Sequence, residues 1–213
     1  MRGGVVAFIA VIGIMVSTPE EASAYEFSTG LKGGLSLTTL TGKDANSGDE
    51  WDKKFQYNFN GGIAVSLVFL SEFAIEVDCL YSPVGMKVVE KSGTGEVTRR
   101  YAYCEFPILF RVQQTDPPVR QGMYAGPFIG KLLYAKEVTS GVSSCRDGTK
   151  DLKDDTAPVN FGFTIGSSML IEAGLGNIVI DLKYSHGLSS IDKEEEDIRT
   201  SVISFMTGYV FVF

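Results

Sequence analysis

The last eleven residues of the chain, 203–213, alternate between two kinds of side chain. Successive residues of a β-strand point to opposite faces, so alternation in sequence separates the two faces. One face of this segment would carry Phe205, Thr207, Tyr209, Phe211 and Phe213, and the other Met206, Gly208, Val210 and Val212. The pattern predicts a C-terminal β-strand with aromatic side chains along one face, up to the terminal Phe.

The N-terminal 24 residues have the three parts of a secretory signal peptide. Arg2 supplies a positive charge, residues 5–16 form a continuous apolar run, and Ala22-Ser23-Ala24 offers the small-x-small pattern for cleavage. A transmembrane helix needs about 20 apolar residues, which neither this run nor any later segment provides. We therefore predict a cleaved signal peptide at 1–24 and one domain at 25–213.

Charge and cysteine content exclude several classes of protein. Removing residues 1–24, which contain one basic and two acidic residues, changes the formal net charge from −7 to −6. This acidic balance argues against a nucleic-acid partner. The three cysteines, Cys79, Cys104 and Cys145, have neither metal-ligand nor redox spacing. A disulfide between Cys79 and Cys104 across one hairpin stays open, although unpaired cysteines packed as small apolar residues are favoured.

The remaining chain divides into extended segments separated by turn-forming residues, without a helical period. We expect eight strands, at 26–39, 54–68, 72–89, 97–113, 121–138, 157–172, 177–188 and 199–213. The connections alternate between polar, mostly long segments such as 41–53, 140–155 and 189–197, and short ones such as 70–71, 114–119 and 173–176. Membrane barrels sort their connections in this way, with short periplasmic turns and longer outer loops.

Several strands carry charged residues in their middle, opposite an apolar face. In strand 72–89, for example, Glu76 and Asp78 alternate with Ile75, Val77 and Cys79. A membrane barrel turns its apolar face to lipid and keeps a polar interior. We therefore predict a polar network in the barrel lumen, formed by Glu76, Asp78, Glu105, Arg111, Glu172, Asp181 and Lys183.

Four local patterns resemble the bacterial outer-membrane β-barrel family that includes small OmpA- and OmpX-like proteins. They are the glycine-rich segment 30–35, the aromatic-x-Glu-x-Pro segment 103–109, segment 124–130, and segment 184–188 near the end of the penultimate strand. The resemblance implies an all-β fold, an eight-stranded antiparallel up-and-down transmembrane β-barrel in the outer membrane. It also implies insertion by the outer-membrane assembly machinery, with Tyr209, Phe211 and Phe213 matching the C-terminal assembly signal.

The sequence leaves several functions open. A non-enzymatic envelope protein, reinforcing the membrane or presenting outer loops for adhesion or recognition, is the leading hypothesis. Alternatives are a narrow porin or small-solute channel, a lipid-modifying enzyme using His186 with Ser185 or Ser189 and Asp181, and a soluble lipocalin-like barrel. Trp51, Tyr101 and Tyr103 suit either a membrane-interface belt or ligand contacts.

We predict no catalytic residues, no cofactor and no metal site. The acidic segments 147–155 and 192–197 lack the spacing of a calcium loop, and they are expected to be solvated. The expected partners are outer-membrane lipid, lipopolysaccharide and, during biogenesis, the assembly machinery; a monomer is expected.

Overall fold

The computed structural model describes residues 25–41, 51–69, 72–90, 95–114, 117–141, 148–192 and 198–213. Within these ranges there is no helix of the length and apolarity needed to cross a bilayer. The predicted signal peptide, 1–24, lies outside the described residues. The strands are β1 (Tyr25–Thr41), β2 (Trp51–Lys54), β3 (Gln56–Phe69), β4 (Phe73–Glu90), β5 (Glu96–Gln113), β6 (Val119–Ser140), β7 (Gly148–Asp151), β8 (Val159–Ala173), β9 (Gly176–Gly187) and β10 (Arg199–Val212).

Eight of these strands close into an antiparallel barrel, which confirms the predicted fold. The order is β1-β3-β4-β5-β6-β8-β9-β10, and β10 pairs back to β1. Directly paired residues can be followed around the barrel from Phe27 on β1, through Leu67, Ile75, Phe110, Ala125, Ile165, Tyr184 and Ile203. The path returns to β1 at Leu37, ten residues beyond its start. This stagger means that the strands are strongly tilted to the barrel axis.

The two short strands were not expected. β2 and β7 lie in segments 41–53 and 140–155, which were predicted to be loops. β2 pairs with the outer end of β4, and β7 pairs with the outer end of β6. The hairpins of β4, β5 and β6 continue beyond the rest of the barrel and leave unpaired strand edges there, which β2 and β7 satisfy. The prediction of loops was therefore wrong for these two stretches.

In the membrane-spanning part, the strands place apolar side chains outside and polar side chains inside. Side chains exposed on the outer surface include Leu31, Leu35, Phe59, Ile63, Phe110, Met123, Ile129, Phe161, Ile165, Leu182 and Phe205. Buried polar side chains of the interior include Lys32, Ser36, Asn60, Glu76, Asp78, Glu105, Arg111, Thr164, Asp181, Lys183 and Ser204. A soluble carrier such as a lipocalin needs the opposite arrangement, so that alternative is wrong.

The polarity inverts at the loop end of the barrel. Here the interior is apolar, and a buried cluster joins the strand ends to two residues of the last connection, Ile191 and Ile198. The cluster comprises Leu40, Val84, Met86, Val88, Tyr101, Tyr103, Leu132, Ala135, Ile191, Ile198 and Val202, with Leu152 packed against it. The outer surface at this level carries charged side chains, among them Lys87, Glu96, Arg100 and Lys136. We call this region the outer cap; its polarity is that of a β-protein in water.

The opposite end of the barrel has the short connections. Between β8 and β9, Ala173 pairs with Gly176, leaving only Gly174 and Leu175 in the turn. Gly174 has a φ of 67°. That conformation is unfavourable for residues with a Cβ, so glycine is required for so tight a turn. Short turns at this end and long connections at the other orient the barrel, with the outer cap on the cell exterior.

Candidate functional site

The centre of the barrel interior holds a cluster of paired charges. Lys32 Nζ donates to Glu76 Oε1, and Arg111 Nη2 donates to Glu76 Oε2. Lys32 Nζ also lies 3.7 Å from Asp181 Oδ2. Tyr124 closes the group, since its hydroxyl donates to Asp181 Oδ1 and its ring centroid lies 5.9 Å from the Arg111 guanidinium carbon. Five residues from five strands therefore form one connected network, which we call the charge cluster.

Burial makes the pairing in the charge cluster important for stability. The side chains of Lys32, Glu76 and Arg111 are only 1%, 3% and 3% exposed. A buried charge without a partner costs several kcal/mol, while a paired and hydrogen-bonded one recovers most of that cost. Glu76 is the central group, because each of its two carboxylate oxygens accepts a hydrogen bond from a different cation.

A second group of charges lies beside the charge cluster, towards the outer cap. Asp78, Glu105 and Lys183 are all buried. Lys183 is close enough to attract the carboxylates of both Asp78 and Glu105 electrostatically. With this group, the interior described by the structure contains three cations and four acidic side chains. Asp78 Oδ1, Asn60 Oδ1 and Arg111 Nε have no hydrogen-bond partner within the described protein, so protein groups alone do not satisfy the whole interior.

Local sequence explains how these side chains fit inside so narrow a barrel. Strand alternation points Lys32, Glu76, Arg111, Tyr124 and Asp181 inward. Glycine makes room for them: a Cβ on Gly166 would collide with the Tyr124 ring and hydroxyl. Tyr124 can therefore reach Asp181 across β8 because the intervening strand has no side chain at that point.

Most predicted lumen residues lie in this interior, with one exception and two additions. Glu172 is a correction: it lies near the inner end of β8, its side chain is 44% exposed, and Arg120 Nη2 is 3.4 Å from its Oε1. Strand alternation was right for its neighbours, but Glu172 is too close to the strand end to be covered. Lys32 and Tyr124 were not predicted, although a lysine in the middle of a glycine-rich strand was an available signal for the first.

The outer cap overturns the expectation for two aromatic residues. Tyr101 and Tyr103 are 5% and 0% exposed and belong to the apolar cluster. They are neither interface-belt side chains nor surface ligand contacts, because the strand ends at this level turn their apolar face inward. The side chain of Trp51 lies outside the described residues.

Ion pairs link neighbouring strands of the outer cap. Arg99 Nε donates to Glu137 Oε2 at 2.9 Å, and Lys87 Nζ lies 2.6 Å from Glu96 Oε2. The hydrogen bond from Lys87 holds the pKa of the Glu96 carboxyl below its usual value. A polar cavity of about 190 Å³ lies next to Arg99, Tyr101 and Glu137 and reaches β7.

The residues proposed for a hydrolase do not assemble. His186 Nδ1 lies 3.0 Å from Ser201 Oγ and 3.3 Å from the Tyr184 hydroxyl. Ser185 Oγ instead hydrogen-bonds Thr164 at 2.8 Å, and Ser189 Oγ donates to Asn160 at 2.9 Å. Asp181 belongs to the charge cluster. The nucleophile, base and acid of the proposed set are thus engaged with different partners.

The aromatic side chains of the C-terminal strand and the two described cysteines face the outer surface. Tyr209 donates its hydroxyl to the Ala173 carbonyl at 2.7 Å, and its ring meets Phe211 edge-on with centroids 5.0 Å apart. Phe213 is 75% exposed beside Phe27. Cys79 and Cys104 are free thiols with sulfur atoms 3.8 Å apart, and Cys145 lies outside the described residues.

Comparison with known proteins gives one family and a set of similar folds. The sequence model of a family described as "Outer membrane protein beta-barrel domain" matches residues 20–193. No curated protein matches the chain.

Three solved structures are similar to this chain at low sequence identity. The Ail attachment invasion locus protein of Yersinia pestis, solved with the heparin analogue sucrose octasulfate, has 12% identity, a TM-score of 0.41, and coverage of 87% of this chain and 99% of that one. OprG from Pseudomonas aeruginosa has 9% identity, a TM-score of 0.46, and coverage of 89% and 96%. Neisserial surface protein A has 9% identity, a TM-score of 0.45, and coverage of 89% and 99%.

Proposed function

Because the chain belongs to the outer membrane protein β-barrel domain family, we propose that it is a non-enzymatic envelope protein whose outer cap serves as a recognition surface. The outer membrane is its location, and the barrel anchors it there. The observation that carries the recognition role is the apolar cluster of the outer cap.

Strand length supports this reading of the cap. About 9–11 residues suffice for one crossing, whereas β4 and β5 have 18 residues each and β6 has 22. The additional length forms the cap, and it is ordered by its own core rather than by lipid. A barrel that only filled or stiffened the membrane would not need this extension. Loops and extensions on a rigid scaffold are where binding surfaces are usually found.

The interior supports a closed barrel rather than a channel. An eight-stranded barrel is just wide enough for its own side chains to fill. Here the charge cluster joins side chains of β1, β4, β5, β6 and β9. The apolar cluster then covers the outer end. Solutes crossing the barrel would have to pass both layers, so a narrow porin is the weaker candidate.

Three strains separate recognition from envelope support. A deletion strain would be complemented with the wild type, with a variant in which a short Gly-Ser turn replaces residues 141–152, or with the matched control Glu172→Gln, altered at the inner rim. The replacement removes β7, which among the described strands pairs with the end of β6 alone, and Leu152, which packs against the apolar cluster. Gel mobility with and without heating would verify that each barrel is folded.

Two readouts then decide the function. Adhesion to immobilised glycans and matrix proteins should fall in the cap variant, while resistance to detergent and to large antibiotics should match the wild type. If the cap variant keeps full adhesion, or if the loss is confined to detergent resistance, the recognition role is wrong. Planar-bilayer recordings of the wild type should show no stable conductance, and a steady open channel would favour the porin alternative.

A further inference from the structure

A group of cations lies on the outward face of β5 and β6, at the base of the outer cap. Arg100 and Lys136 are directly paired across the two strands, and Lys131 is paired with Cys104 further towards the membrane. All three side chains are exposed. Their neighbours Tyr101, Leu132 and Ala135 are buried inside the barrel. Arg100, Lys131 and Lys136 therefore point away from the barrel and share one surface, which we call the basic patch.

Nearby carboxylates compensate the positive charge of the basic patch only in part: the charge of Arg100 interacts with Glu96, which is itself paired with Lys87. Within the described residues, none of the three cations forms an ion pair, although neighbouring cations do. Asp151 is opposite Lys136 on β7 and lowers the local positive charge, although the two form no ion pair; its carboxylate accepts a hydrogen bond from the Lys153 amide at 2.9 Å. The Glu137 carboxylate is already ion-paired with Arg99. In a chain with a formal net charge of −7, three clustered cations without an ion-pair partner among the described residues make this surface a candidate site for an anionic ligand.

The basic patch begins where the lipid-facing surface ends. Phe106 and Ile129 are paired on the same outward face, next to the level of Lys131, and they are 40% and 54% exposed. Between Lys131 and Lys136, the Tyr134 hydroxyl lies 3.1 Å from that of Tyr81. Tyrosines with an apolar ring and a polar hydroxyl mark the boundary between hydrocarbon and headgroups. The cations are thus at headgroup level, beside a surface suited to acyl chains.

We propose that the basic patch is a binding site for the phosphate groups of lipopolysaccharide in the outer leaflet. Arg100 can bind a phosphate through two parallel N–H donors. Lys131 and Lys136 add point charges on either side of Tyr134. Phe106 and Ile129 contact the acyl chains of the same molecule. The site depends on the location and orientation of the barrel, and it is independent of the recognition role of the cap.

The test uses the folded full-length barrel in phosphatidylcholine vesicles, titrated with lipopolysaccharide. The variant Arg100→Ser, Lys131→Ser, Lys136→Ser is compared with Lys54→Ser, Lys150→Ser, Lys153→Ser, which removes the same charge from other exposed positions at the outer end. A basic side chain near an anionic surface contributes about fivefold in affinity, so the patch variant should bind about 100-fold more weakly. The affinity of the control variant for lipopolysaccharide should stay within about fivefold of the wild-type affinity, which is the contribution of a single charge.

Folding and ligand identity are checked separately. The heat-dependent gel shift in plain phosphatidylcholine should be the same for all three proteins, so that weaker binding reflects the site. Dephosphorylated lipopolysaccharide should bind the wild type as weakly as intact lipopolysaccharide binds the patch variant. The proposal is overturned if the patch variant binds like the wild type, if both triple variants lose affinity equally, or if the dephosphorylated lipid binds fully. Inorganic pyrophosphate that competes at equal concentration would assign the site to soluble phosphates instead.

Discussion

Replacing Glu76 by Gln tests whether the barrel interior is a packed charge network or a hydrated lumen. The substitution keeps the shape of the side chain but removes the negative charge that both Lys32 and Arg111 contact. Lys32 retains Asp181 at 3.7 Å, whereas Arg111 keeps no carboxylate within ion-pair distance among the described residues. Removing one partner of a buried pair costs about 3–5 kcal/mol. Since one cation stays paired, we expect a loss of about 3 kcal/mol in the free energy of unfolding.

Urea unfolding in lipid vesicles, followed by circular dichroism and by the gel shift, measures this loss. Glu172→Gln is the matched control, because it makes the same chemical change in an exposed ion pair at the inner rim. Exposed pairs contribute about 0–1 kcal/mol, so the control should be nearly as stable as the wild type. Adding Arg111→Met to Glu76→Gln should recover at least about 1 kcal/mol, because the unpaired buried cation is removed.

One result would refute the reasoning. If Glu76→Gln and Glu172→Gln are equally stable, Glu76 is solvated in the folded barrel, and the charge cluster does not fill the interior. In that case the argument for a closed barrel loses its energetic basis, and a conducting lumen becomes the better hypothesis. A large loss for Glu76→Gln with no recovery on adding Arg111→Met would instead assign the cost to the neutral amide, not to an orphaned charge.

The remaining predictions concern single contacts. Tyr124→Phe should lower the free energy of unfolding by about 1–3 kcal/mol, since Asp181 loses a buried donor; urea unfolding checks this, and an unchanged midpoint contradicts it. Deleting Phe213 should slow insertion into the outer membrane without destabilising the assembled barrel, measured by pulse-chase fractionation and gel shift; insertion at the wild-type rate would remove its role in the assembly signal. A short bifunctional maleimide should join Cys79 to Cys104 within one chain, detected by mass spectrometry after proteolysis, and exclusive modification of separate thiols would contradict their proximity.

The strands and their two faces could be predicted from the sequence because both are local properties. Alternation over a few residues identified all eight barrel strands to within a few residues. The sorting of long and short connections indicated a membrane barrel, and the family resemblance implied its closed antiparallel form. The mid-strand charges Glu76 and Asp181 were likewise assigned to the interior from their neighbours alone. In each case the information lies within one strand and its adjoining turns.

Which side chains pair inside the barrel could not be predicted in this way, because the pairing depends on the stagger of all eight strands. The ten-residue offset around the barrel brings Lys32, Glu76, Arg111, Tyr124 and Asp181 to one level, although they are far apart in sequence. Alternation also predicts which residues share a face of a strand. It does not predict whether that face contacts lipid, water or the barrel interior at a given distance along the barrel axis. Within the membrane the apolar face meets lipid; beyond it the apolar face must be buried from water, which places Tyr101 and Tyr103 inside the outer cap. The sequence thus determined the barrel and its location, and the tertiary structure decided which charges pair and where the polarity inverts.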